Sequence, residues 1–180
     1  MDTTFLVGLV GSVILVTGAA WPDRHITIPV RSAKNWLFAV GAFLMLAFSF
    51  LGYREGGSVF FVILEIFINF SSILMMANTP DRFDAPLLLG GAAIFVAWSL
   101  ALFEGYQTAV FVTGLACIGV GYAMDGGTLR RNASLMLGSF LVAVFSYLAA
   151  NWVFFWLNAF FALFSLLQLR NMRTPAAAKA

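Results

Sequence analysis

Charge is scarce in this 180-residue chain: Asp, Glu, Lys and Arg make up 10% of it, against about a quarter in a soluble domain. A water-soluble globule is excluded. The single cysteine, Cys117, excludes an internal disulfide and a cysteine-based metal site. The single histidine, His25, stands beside Asp23 and Arg24 and leaves little for histidine chemistry. There is no nucleophile with a histidine partner, no pair of carboxylates within one helix and no glycine-rich phosphate loop followed by lysine. No catalytic residue, metal or cofactor is therefore expected, and the protein is not read as an enzyme. A net charge of +2 is too small to suggest nucleic acid as a partner.

What the chain has instead is apolar. It is 62% hydrophobic, with 20 Phe and 5 Trp, and its mean hydropathy is +0.94. A transmembrane helix needs about 20 such residues. Seven apolar stretches qualify, with Glu65 the one charged residue inside them: Phe5 to Ala20, Trp36 to Leu51, Ser58 to Ala77, Pro86 to Phe103, Thr108 to Met124, Ala133 to Ala149 and Trp152 to Leu169. Turn and charge signals separate them at Trp21-Pro22-Asp23-Arg24, Gly52 to Gly57, Thr79-Pro80-Asp81-Arg82 and Asp125-Gly126-Gly127. Between the fourth and fifth only Glu104 supplies a charge, so six helices is the alternative count. Ala19-Ala20 resembles a signal-peptide cleavage site. The only charged residue ahead of that apolar run is Asp2, however, so the first segment is read as a retained helix. The expected fold is an all-α integral membrane protein, one domain over residues 1–180.

Seven helices sort the basic residues sharply. Arg24, Arg31, Lys34, Arg82, Arg130, Arg131, Arg170, Arg173 and Lys179 fall on one side, and Arg54 alone on the other. Cytoplasmic loops carry the basic excess. The N-terminus is thus expected outside and the C-terminus in the cytoplasm, with a bacterial cytoplasmic (inner) membrane as the location.

The chain also repeats itself. Lys34-Asn35 matches Arg131-Asn132, and Gly41, Phe43, Leu44, Phe48, Ser49 and Leu51 match Gly138, Phe140, Leu141, Phe145, Ser146 and Leu148. After a shorter turn the match resumes, with Glu65 on Asn158, Ser72 on Ser165 and Asn78 on Asn171. Helices two and three then correspond to six and seven, and one to five. A three-helix repeat over residues 5–78, a linker helix over 86–103 and a second repeat over 108–171 follow. Three helices plus one linker give both repeats the same orientation, related by a twofold axis along the membrane normal. In transporters built this way the substrate lies between the repeats.

This 3+1+3 layout resembles the SWEET, SemiSWEET and PQ-loop (MtN3-like) superfamily, which includes bacterial nicotinamide-riboside carriers. The motif nearest to that family is Trp156-Leu157-Asn158-Ala159-Phe160-Phe161-Ala162-Leu163. It is similar to the third helix of a family triplet, where an Asn faces substrate, so the resemblance assigns that role to Asn158. The first copy carries Glu65 at that position. The chain departs from the family in having no Pro-Gln pair in helix one or five and no Trp inside the second helix of either triplet.

Glu65 is the one acidic or basic residue well inside a predicted helix. Its insertion costs about 2.5–3.5 kcal/mol, which places it toward the bundle interior. With Asn69 and Ser72 it forms one helix face, matched by Asn158, Ala162 and Ser165. Two readings stand for this group: a substrate or proton site, or hydrogen bonds between helices with Glu65 neutral. Ser49 and Ser146, paired by the repeat, either join the site or bond back to their own helices. Trp156, like Trp98, either stacks on a ligand or sits in core or interface. Thr113, Cys117 and Tyr122 read as packing, and Gly8, Gly11, Gly114, Gly119 and Gly121 as points of close helix approach.

The expected function is a small-solute carrier, proton-linked through Glu65, with a substrate site of Glu65, Asn69, Asn158, Ser49, Ser146 and Trp156. Its expected partners are a small polar solute and membrane lipids. The alternative is a non-transporting membrane subunit or assembly factor, meeting partner helices through its Phe-rich outer face; a second copy of the chain is a further candidate partner.

Overall fold

The computed structural model describes residues 3–21 and 28–173. Asp2, Asp23, Arg24, His25 and Lys179, on which part of the sequence reading rests, lie outside the described residues. The described chain forms seven helices: α1 (Thr3–Ala20), α2 (Ala33–Arg54), α3 (Val59–Ala77), α4 (Asp81–Ala101), α5 (Tyr106–Ala123), α6 (Leu129–Leu148) and α7 (Trp152–Arg173). A short 3-10 turn, Pro29–Arg31, precedes α2, and no strand occurs among the described residues. Every helix is long and apolar enough to cross a membrane. At about 1.5 Å per residue they reach roughly 27–33 Å, matching a hydrocarbon layer of about 30 Å. The fold is that of an all-α integral membrane protein.

The count of seven rests on Gly105. Its φ of 134° and ψ of −161° lie where a side chain would be strained, and the chain breaks there between α4 and α5. Thr108 caps the break by accepting a 3.1 Å hydrogen bond from the Glu104 amide. Other helix starts are capped by the side chain of the residue just before the helix: Ser32, Ser58, Thr128 and Asn151 each accept from a first-turn amide.

Helix ends correct the sequence reading. α2 starts at Ala33 rather than Trp36 and continues through Arg54, α4 starts at Asp81 rather than Pro86, α6 starts at Leu129 rather than Ala133, and α7 runs on to Arg173. Charge marked the limit of each apolar stretch, but not of each helix. Long basic side chains reach water from a terminal turn, while a backbone near lipid keeps its internal hydrogen bonds. Pro86 in the second turn of α4 forfeits a single bond, to the Arg82 carbonyl.

Each helix packs on its neighbours in sequence, and α7 packs on α1, so the bundle closes into a ring. α3 also touches α5 behind α4. Glycines set the spacing of two hairpins. A Cβ on Gly41 would meet the Gly11 carbonyl oxygen at 3.2 Å and Leu15, which ties α2 to α1. On α6, a Cβ on Gly138 would meet the Gly114 carbonyl oxygen at 2.9 Å and Ile118. Gly8, Gly119 and Gly121 are likewise closed off, by Phe48, Ala92 and Leu135, as the sequence led one to expect. Such backbone approach is how membrane helices gain dispersion contact without a hydrophobic driving force.

The core is aromatic. Phe48, Phe60, Phe61, Phe67, Phe111, Phe145 and Phe154 are all buried. Apart from Phe67 they lie toward the face where α1, α3, α5 and α7 begin, termed here the first face. Arg54, Glu55 and Glu104 also belong to it. The opposite, second face carries Arg31, Lys34, Arg82, Arg130, Arg131, Arg170 and Arg173.

Candidate functional site

α3 and α7 meet through their first turns, where the rings of Phe61 and Phe154 stack with centroids 4.4 Å apart and planes 14° apart. Two further contacts flank this stack, Phe48 on Phe154 at 5.7 Å and Phe61 on Phe145 at 5.3 Å. Aromatic rings at these separations gain quadrupole interaction beyond simple burial. The layer they form closes the bundle interior toward the first face.

One helical turn beyond the stack stand Glu65 on α3 and Asn158 on α7. Both are buried, at 2% and 6% exposure. Glu65 Oε2 has no hydrogen-bond partner among the described residues. Leaving a buried acceptor unmade is costly in a protein interior, and more so for a carboxyl group. Every described Lys and Arg lies in a terminal turn or the 3-10 turn, so no cation shares the depth of Glu65.

Asn69, one turn further along α3, donates both amide hydrogens to backbone carbonyls: 2.9 Å to Ala42 on α2 and 2.8 Å to Glu65 on its own helix. It therefore bridges two helices. Asn158 donates 3.0 Å to the Phe154 carbonyl within α7 and bridges to no other helix among the described residues. No described donor is hydrogen-bonded to either amide oxygen. Ser72 completes the α3 stripe and is buried, while Ser165, its counterpart on α7, is half-buried.

The remaining expected site residues separate from this group. Ser49 and Ser146 are both buried, and each bonds back to its own helix: 2.8 Å to Met45 and 2.7 Å to Val142. Trp156 turns away entirely. It is 58% exposed and packs on Phe155 and Phe160 on the outer surface of α7. Its distance from Asn158 explains this, since two residues along a helix turn the side chain by about 200°. Trp98 is outward-facing as well.

Tyr122 on α5, expected to serve packing, has its ring 6.2 Å from that of Phe67. It is also close enough to Glu65 and Arg131 to interact with their charges. Arg131 itself lies against the α5–α6 turn, where a Cβ on Gly126 would fall 3.1 Å from its Nη1. Among the described residues no group of three or more His, Cys, Asp or Glu side chains could hold a metal ion. No family model, curated protein or solved structure matches this chain.

Proposed function

We propose that this protein is a small-solute carrier built from two like-oriented three-helix units, α1–α3 and α5–α7, with α4 as linker. The polar site lies between their third helices. The observation that carries this reading is the paired aromatic layer. Under the sequence repeat Phe48 corresponds to Phe145 and Phe61 to Phe154. The contact of Phe48 with Phe154 is thus the counterpart of Phe145 with Phe61, and the Phe61–Phe154 stack pairs two equivalent residues. The glycine notches repeat the same relation, Gly11 with Gly41 and Gly114 with Gly138. Ser49 and Ser146 repeat it again in their bonds to the carbonyls four residues back.

In this reading the aromatic layer is the closed gate on the first face, and Glu65 and Asn158 lie just behind it. Rocking of one unit against the other would separate Phe61 from Phe154 and open the site. Glu65, passing between neutral and charged forms, would link solute to proton movement. The basic second face supports a cytoplasmic C-terminus and an external N-terminus.

Thiol labelling tests it. In a Cys117→Ser background, Ser146→Cys lies at the depth of the gate and Ser72→Cys behind it. A rocking carrier exposes the first to an impermeant reagent from one side of the membrane and the second from the other. A static bundle leaves both unreactive.

A second reading, a membrane subunit or assembly factor, is favoured by a different observation. Tyr147, Trp152, Phe155, Trp156 and Phe160 form a run of touching rings along the outside of α6 and α7. Such a surface suits partner helices as well as lipid. Purification in mild detergent separates the readings: a stoichiometric membrane partner supports the subunit, and an isolated monomer or homodimer supports the carrier.

A further inference from the structure

The hydrogen-bonding groups around Glu65 are unbalanced, and the imbalance bears on what could bind there. Asn69 has used both amide hydrogens and Asn158 one, all on backbone carbonyls. What remains is chiefly oxygen: the Glu65 carboxyl, whose Oε2 is buried and without a partner among the described residues, and the two amide oxygens. Against these stands one spare amide hydrogen on Asn158. Tyr122 lies within charge range but makes no hydrogen bond to Glu65 Oε2. Arg131 is held at the turn on the second face, and no other described cation reaches this depth. The site asks for hydrogen-bond donors and positive charge together.

We infer that the Glu65–Asn158 site takes a small organic cation bearing a primary ammonium group. This rests on the carrier reading above. An ammonium group carries three N–H donors, which suits a carboxyl group whose Oε2 is buried without a partner among the described residues and the amide oxygen of Asn158, one turn behind the same aromatic stack. A bare metal ion fits less well, because hard cations gather six or more oxygens. An anion would face an unscreened carboxylate with no cation to receive it. A neutral solute would leave any charge on Glu65 uncompensated in a low-dielectric interior.

The test uses the whole protein, reconstituted in liposomes and in detergent, with methylammonium, acetamide, acetate and sodium as separate probes. Methylammonium is expected to raise the thermal midpoint saturably and to be taken up. The other three are expected to do neither. Glu65→Asp keeps the charge and should keep binding within tenfold, whereas Glu65→Gln should weaken it by at least tenfold. Asn158→Ala is the second variant, weakening binding while leaving the fold intact. Glu65-dependent binding of acetamide, acetate or sodium in place of methylammonium overturns the cation assignment and leaves the site between the third helices standing. Equal methylammonium binding by wild type and Glu65→Gln overturns the assignment outright. Failure of the carrier reading has its own signature, since Ser72→Cys and Ser146→Cys then stay unreactive whatever binds.

Discussion

Gly138 on α6 faces Gly114 on α5 so closely that a Cβ added to Gly138 would fall 2.9 Å from the Gly114 carbonyl oxygen and 2.8 Å from the Ile118 amide nitrogen. Both obstacles are backbone, so a rotamer change cannot relieve them. Gly138→Ala should force α5 and α6 apart and cost about 1–3 kcal/mol, the range for overpacking a filled interior. Gly90 on α4 is the control, because a Cβ there would have nothing within 4 Å. Gly90→Ala should be neutral or stabilise by up to about 1 kcal/mol, through helix propensity alone. Thermal unfolding in detergent measures both. Equal effects of the two variants would show that the notch does not hold the hairpin.

The two buried asparagines should separate stability from binding. Asn69 ties α3 to α2 through the Ala42 carbonyl, so Asn69→Ala removes an interhelical hydrogen bond worth about 0.6–2 kcal/mol. Among the described residues Asn158 bonds only within α7. Asn158→Ala should leave the unfolding midpoint almost unchanged while weakening ligand binding and sparing any pH profile. Matched unfolding and ligand titrations on both variants check this. A large loss of stability in Asn158→Ala alone would mark it as structural.

Much of this architecture was legible in the sequence because lipid imposes length. Seven apolar runs became seven helices, and every described basic residue except Arg54 fell on one face of the bundle. Which side of each helix faces inward was much less legible. In a soluble helix a polar stripe marks the outside. Here apolar residues cover every side, and only the rare polar or small residues betray the rotation. Glu65 and the glycines did so correctly. The outward turn of Trp156 was recoverable too, because an inward Asn158 two residues away leaves it no other direction. The bridge from Asn69 to Ala42 was not recoverable, since it depends on the height at which α2 crosses α3. Helix ends were misjudged wherever a basic side chain lay inside a terminal turn, as at Arg54 and Arg131.

The aromatic layer gives a direct test of the pseudo-twofold relation. Phe48 with Phe154 and Phe61 with Phe145 are equivalent pairs under the repeat, with centroids 5.7 and 5.3 Å apart. Double-mutant cycles with Leu at each position should return similar coupling energies for both pairs, about 0.5–1.5 kcal/mol. The Phe61–Phe154 stack, closer at 4.4 Å, should couple at least as strongly. Strong coupling in one flanking pair and none in the other would break the equivalence of the two units.

Glu65 carries the last prediction, because stability and function should move in opposite directions there. Its Oε2 is buried without a partner among the described residues, so the carboxyl is a cost to the fold rather than a source of cohesion. Replacing a buried, unsatisfied polar group with an apolar one of similar size is often neutral or stabilising. Glu65→Leu should therefore hold or raise the unfolding midpoint while abolishing ligand binding. Glu65→Gln keeps the shape of the neutral acid, so it should fold normally. It cannot release a proton, and any pH dependence of binding or transport should disappear with it. Unfolding in detergent and uptake measured across a pH series check the pair together. If Glu65→Leu unfolds readily while Glu65→Gln keeps both activity and pH profile, the carboxyl is holding helices together, and proton coupling through this residue is wrong.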